Sequence, residues 1–205
     1  MMFLWKKESK EEIMLSFGNK KLPGTTAIWS LPCQITCPNK TKWCTRWCYS
    51  QKAERLYKNT VKSRTRNLEY SKLDYFTGMM SGEIIQNIKK ISAIRIHASG
   101  DFYNQKYLDK WIEIMNNFPR LLFTTYTKSI LDYSKLPSNC VLFFSVDEST
   151  RPSDLKWYLA QGKRMAYADT EVPENAIICP AKTTGCGECK VCYSKSKKSV
   201  WFKRH

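Results

Sequence analysis

Eight of the nine cysteines fall in two short windows, Cys33 to Cys48 and Cys179 to Cys192. Each window can close into a compact loop that folds its thiols around a single centre. Cysteines that stay reduced and clustered bind metal more readily than they pair as disulfides. The N-terminus, Met1 to Trp5, is apolar but runs at once into Lys6, Lys7 and Glu8. That is too short for the core of an export signal, and no apolar run reaches the roughly 20 residues that cross a bilayer. The expectation is a soluble, cytoplasmic protein with reduced thiols and no membrane partner.

In the first window Cys33, Cys37, Cys44 and Cys48 are separated by three, six and three residues. Zinc ribbons and knuckles carry two-residue spacings at both ends. An iron–sulfur cluster is therefore the leading reading, with a closed zinc site as the alternative. Trp43 and Trp47 stand beside these thiols and would shield a cluster from water. The second window has Cys179-Pro180 followed by Cys186, Cys189 and Cys192. This C-x2-C-x2-C run with one outlying cysteine resembles cubane ligation, with structural zinc as the alternative. Gly185 and Gly187 would let the backbone fold closely over it. Cys140 stands alone and reads as a buried core thiol.

Between the windows, short β-branched or aromatic runs alternate with helical patterns. Strands are expected at Ala27–Leu31, Ala93–Ala98, Leu121–Tyr126, Val141–Val146, Arg164–Ala168 and Ala176–Cys179, several of them apolar throughout as buried parallel strands are. Helices are expected over Thr45–Phe76 with a break near Asn59, Gly82–Ile91 with a stripe of Ile84, Ile85, Ile88 and Ile91, Asn104–Asn117 capped by Asn104, and Pro152–Gln161 stopped by Gly162. The alternation predicts an α/β fold of parallel βαβ units, either a partial barrel or a doubly wound sheet. Residues 1–178 read as this α/β unit and 179–205 as a cysteine-rich metal-binding segment.

In both folds ligands gather at the carboxyl ends of the strands, where the unusual polar residues lie. His97 is a candidate acid–base group. Ser99, Gly100 and Asp101 follow it, and Asp101 reads either as a ligand-binding acid or as the N-cap of the next helix. Ser145 and Asp147 end a later strand and are candidate cofactor contacts. Lys and Arg number 34 against 18 acids, a net +16, which favours an anionic partner such as a nucleotide or nucleic acid. The surplus concentrates in residues 51–66, where Glu54 is the lone acid, and in residues 190–205.

A strand, a cysteine loop and a helix at the start of a βα series resemble the radical S-adenosylmethionine superfamily. The stretch Ile94 to Phe102 is similar to its small-residue and acid motif after the second strand. More closely, C-P-x5-C-x3-C-Y, then H-x-S-G-D-F-Y, then C-P…C-x2-C-x2-C, resemble a small phage-encoded family within or near that superfamily, known as gene product eighty-eight. The similarity spans Pro23 to His205. It implies a partial (β/α)6 barrel and two [4Fe–4S] clusters. S-adenosylmethionine would bind one open iron and be cleaved to a 5′-deoxyadenosyl radical that acts on an anionic substrate. Asp101 would hold the amino group of the methionine moiety, a flavodoxin or ferredoxin would supply electrons, and the setting would be the cytoplasm of a phage-infected bacterium. The superfamily's C-x3-C-x2-C triplet is absent from the first window. Cys37, Cys44 and Cys48 match the closer family, which leaves Cys33 over. A fourth thiolate from Cys33 would close the cluster to S-adenosylmethionine. The competing functions are a metal-stapled nucleic-acid-binding module, using the basic helix from Lys52 to Arg66, and a two-cluster redox protein.

Overall fold

The computed structural model describes residues 14–180, 183–194 and 196–203; the reading of Met1 to Trp5 lies outside them. Among the described residues eight strands form one sheet in the order β1-β2-β3-β4-β5-β6-β8-β7. β1 (Ser16–Phe17) is antiparallel to β2 (Thr26–Trp29). From β2 onward every pairing is parallel, through β3 (Ala93–Ile96), β4 (Leu122–Thr127), β5 (Cys140–Asp147) and β6 (Arg164–Ala168). The strand order is therefore monotonic from β2 to β6, without the reversal that a doubly wound sheet needs at its switch point.

Helices follow the strands. α1 (Lys42–Trp47), α2 (Tyr49–Leu56), α3 (Lys58–Lys72) and α4 (Phe76–Asn87) lie between β2 and β3. α5 (Gln105–Asn117) follows β3, and α6 (Pro152–Ala160) follows β5. Asn104 caps α5 as expected, its side chain accepting from the Tyr107 N–H at 2.9 Å. The helical region expected over Thr45–Phe76 is three helices: the expected break near Asn59 falls at Tyr57 and a second falls at Cys48, both residues adopting extended backbone. The isoleucine stripe is also corrected: Ile84 and Ile91 are buried, but Ile85 and Ile88 are exposed. The helix begins earlier than expected, at Phe76, and presents Phe76, Met80 and Ile84, four residues apart, to the core.

The main core lies on one face of the sheet. It joins Trp29, Ile94, Phe123 and Phe144 from alternate strand positions to Phe76 of α4, Trp111 of α5 and Tyr158 of α6. The opposite face carries Val141, Phe143 and Ala166, and here the chain's last segment folds back over it with Val191 and Cys192. That segment holds the short helix α7 (Cys186–Cys189), a single 3-10 turn and β8 (Ser199–Phe202). β8 inserts between β6 and β7 (Ala176–Ile178), parallel to both. Residues on both sides of position 178 therefore contribute to one sheet. No helix among the described residues is long and apolar enough to cross a membrane.

Candidate functional site

The carboxyl edge of the sheet is built from the cysteine loop after β2, the turn after β3 and the ends of β4 and β5. The Leu31 N–H donates to the Ser99 carbonyl at 2.9 Å and pins the loop against the turn. The turn reverses through two left-handed residues, His97 at φ +61° and Gly100 at φ +82°. Glycine relieves the second, and close packing holds the first. The Tyr49 hydroxyl donates to the Ala98 carbonyl, so the start of α2 grips the same turn.

Cys33 is buried and differs from its three neighbours. Its N–H donates to Glu54 Oε1 at 2.9 Å and its thiol to Glu54 Oε2 at 3.1 Å. Arg64 donates to the same carboxylate at 2.8 Å. Burial works against the Glu54 charge, yet the hydrogen bonds from the Cys33 N–H and Arg64 outweigh it and hold the carboxyl below its ordinary value. Burial, then the Glu54 hydrogen bond and the nearby Cys48, push the Cys33 thiol far above its ordinary value. Cys33 is thus a protonated donor clasped by an anion.

Cys37, Cys44 and Cys48 sit half-buried within electrostatic reach of one another. Burial pushes Cys37 up to about 12, and Asp101 adds to it. Burial pushes Cys44 up to about 11, although Lys128 works against it. Binding a metal would displace those protons. No three His, Cys, Asp or Glu side chains among the described residues are drawn together as a cage for a metal ion. Neither the iron nor the zinc expected from spacing is carried by the observed geometry alone.

A polar strap joins the loop to the strand ends. Thr41 caps α1 by accepting from the Cys44 N–H at 3.0 Å and donates to Asp147 at 2.7 Å. Lys128 reaches Asp147 at 2.8 Å and the Ser145 carbonyl at 2.8 Å. Its own N–H donates to Asp101 at 2.8 Å, and Thr127 donates to the other carboxylate oxygen at 2.6 Å. Asp101 is therefore no helix cap, since Asn104 holds that place. Burial pushes it up to about 6 against these hydrogen bonds, and it staples the β3 turn to β4. Ser99 is buried, and its hydroxyl has no hydrogen-bond partner.

His97 faces the helix-covered core, away from the thiols. Its Nε2 meets the Tyr107 hydroxyl at 2.9 Å, and its ring stands edge-on to Phe102. Burial, with a smaller contribution from Arg95, pushes its pKa down to about 3 and keeps it neutral. This placement suits packing and leaves the expected acid–base role without a neighbouring reactive group. The unfolded chain takes up a proton near pH 6.5 that the folded chain refuses, so the stability is full above pH 6.5 and lost as pH falls below it. The gap in stability between the unmutated protein and His97→Gln should narrow by about 2 kcal/mol from pH 7.5 to pH 5. Denaturant melts at the two pH values measure it, and a gap that does not narrow shows that His97 is not buried neutral.

The second window does not share the carboxyl edge throughout. Cys179 follows β7 there, its N–H donating to the Trp201 carbonyl at 2.8 Å. The remainder turns back across the inner face toward the start of β2. The Cys186 N–H donates to the Lys21 carbonyl at 3.1 Å, and Thr124 donates to the Cys192 carbonyl at 3.0 Å. The second thiol group is thus not gathered at the strand ends with the first; the pairing of β8 with β6 carries the segment across the opposite face. Burial raises the Cys186 and Cys192 thiols, and Cys179 lies close enough to add to both. Arg95, 3.8 Å above the Tyr126 ring, faces this group.

Glu54, Arg64, Lys128, Thr41 and Arg95 do not figure among the site residues expected from sequence. Only Glu54 carried a signal, as the lone acid in a basic stretch.

A family model described as Gene product 88 matches residues 6–178. The matched residues include the cysteine loop, the Ser99-Gly100-Asp101 turn and the strap, and stop just short of Cys179. A Gene 88 protein of Mycobacterium phage D29 is 27% identical, with 82% of each chain covered. Another from Mycobacterium phage L5 is 25% identical, again with 82% of each covered. No solved structure matches the chain. These matches carry the phage family and not the wider superfamily resemblance. Because the family model spans well over half of its length, this chain belongs to the Gene product 88 family.

Proposed function

We propose that this chain is an iron–sulfur protein of the radical S-adenosylmethionine type, with the cluster held by Cys37, Cys44 and Cys48. The observation that carries the reading is the engagement of Cys33 by Glu54, which takes the fourth thiol out of the donor set. Three soft donors remain on one half-buried loop, which suits a cluster with one iron open to a ligand. The monotonic parallel order from β2 to β6 is compatible with a partial barrel, whose mouth this loop would occupy.

The donor set also fits the ligand. Ser99 offers a buried hydroxyl without a protein partner, one residue from the turn's Gly100. Asp101 keeps a carboxylate at the mouth of a strongly basic protein, where a cationic amino group needs a local anion. Thr41, Asp147 and Lys128 hold the loop in place. When bound, the cluster would supply the electron that cleaves S-adenosylmethionine. In the C-terminal window, Cys179, Cys186, Cys189 and Cys192 form the second metal site, which staples the tail to the inner face.

The test is anaerobic reconstitution with iron and sulfide, then calorimetry with S-adenosylmethionine. The unmutated protein should bind it. Ser99→Ala should weaken binding about 2- to 12-fold, the range for one neutral hydrogen bond, without lowering the melting temperature. Absence of binding by the unmutated, iron-loaded protein overturns the reading.

A further inference from the structure

We propose that the exposed face of α2 and the start of α3 is a docking surface for single-stranded nucleic acid. Between residues 33 and 68 the only acid is Glu54, and Glu54 is consumed by Cys33 and Arg64. Lys52, Arg55, Lys58 and Lys62 are all exposed and form no ion pair among the described residues. Lys52 and Arg55 are three residues apart and Lys58 and Lys62 four apart, so each pair shares one side of its helix. Lys58 is the first residue of α3, against the positive end of the helix dipole, and no side chain caps that helix. A cation there costs stability, and residues that cost stability locally mark functional surface.

The same face displays flat rings. Tyr49 and Tyr57, at the two ends of α2, are each 61% exposed. Trp47, 41% exposed, lies under the Arg46 guanidinium at 5.0 Å. Cations set among exposed rings are the arrangement that binds unpaired strands, phosphates meeting the charges and bases stacking on the rings. A duplex hides its base faces and would use the charges alone. The segment also exposes two aliphatic side chains, Leu56 at 61% and Val61 at 42%, but three rings and four cations outnumber them, which favours a strand over a lipid surface.

The surface flanks Cys48, with Trp47 before it and Tyr49 after it, and Tyr49 grips the Ala98 carbonyl of the site turn. A strand bound there passes the thiol loop. Only that last role, presenting a nucleotide to the loop, rests on the function proposed above; binding itself does not.

Fluorescence anisotropy with labelled 20-nucleotide oligothymidine, oligouridine and a duplex of equal length tests it, on the full chain in its metal-loaded form. Either single strand should bind at least tenfold more tightly than the duplex. Replacing Lys52, Arg55 and Lys58 together by Gln should lower the slope of log affinity against log salt by about 2, at roughly 0.7 per phosphate contact. Tyr57→Ala should weaken single-strand binding about 5- to 150-fold, the range for one stacked base. Both variants change exposed side chains, and unchanged melting curves confirm that they fold. Equal affinity for duplex, an unchanged salt slope, or tighter binding to phosphatidylglycerol vesicles than to either oligonucleotide overturns the proposal. Iron content and S-adenosylmethionine binding, measured on the same samples, separate that outcome from failure of the function proposed above.

Discussion

Replacing Cys44 with Ala should empty the strand-end site, removing about half of the iron from reconstituted protein while the C-terminal cluster stays. S-adenosylmethionine binding should vanish with it. Of the three proposed ligands Cys44 is the most firmly placed: Thr41 caps its N–H, Thr41 donates to Asp147, and Lys128 pairs with Asp147 in turn. Cys33→Ala is the paired experiment. It removes a donor to Glu54 but leaves Arg64 on that carboxylate. Iron and S-adenosylmethionine binding should both survive, at a stability cost of about 1 kcal/mol for the lost hydrogen bond. Iron and sulfide analysis of the two variants side by side is decisive. Equal loss of iron from both would make Cys33 a fourth ligand, close the cluster, and end the S-adenosylmethionine reading.

Gly100→Ala should be the most damaging single substitution away from the thiols. A Cβ at position 100 would lie 2.6 Å from the Leu31 Cβ and 2.6 Å from the Thr36 hydroxyl, both buried in the cysteine loop. The backbone there is also left-handed, at φ +82°. The conformational strain costs about 1–2 kcal/mol and the overpacking about 1–3 kcal/mol. Together these should lower the melting temperature by about 4–20 °C for a chain of this size. Gly162→Ala is the control, since its φ is +62° but nothing lies within 4 Å of the added carbon. It should lose only the strain, about 2–8 °C. Equal losses from the two variants in scanning calorimetry would show that the cysteine loop does not pack on the Gly100 turn.

Much of this architecture was legible in the residues. The six expected strands are all present, five with shifted ends and Arg164–Ala168 as expected, because apolar runs bounded by turn residues have few other ways to bury themselves. Asn104, Pro152 and Gly162 marked helix ends through local chemistry, and their expected roles appear in the structure. β1 and β8 were not legible. β1 is two residues long, and β8 is a serine and three apolar residues after a lysine-rich run, which become a strand by inserting between two others.

The site divides in the same way. Sequence alone determined which thiols share a loop, that the Ser99-Gly100-Asp101 turn follows a strand, and that the surface is basic, since each is a property of neighbours along the chain. Tertiary structure decided the rest. Glu54 reaches Cys33 across 21 residues, and Thr41 reaches Asp147 across 106. It also placed His97 in the core and decided between the two readings of Asp101 against the helix cap, making it a staple between the β3 turn and β4. It carried the second cysteine group onto the inner face of the sheet. The periodicity and turn chemistry of a chain act over a few residues. The partner of a buried polar side chain is set by strand order and register, which exist only once distant segments have packed.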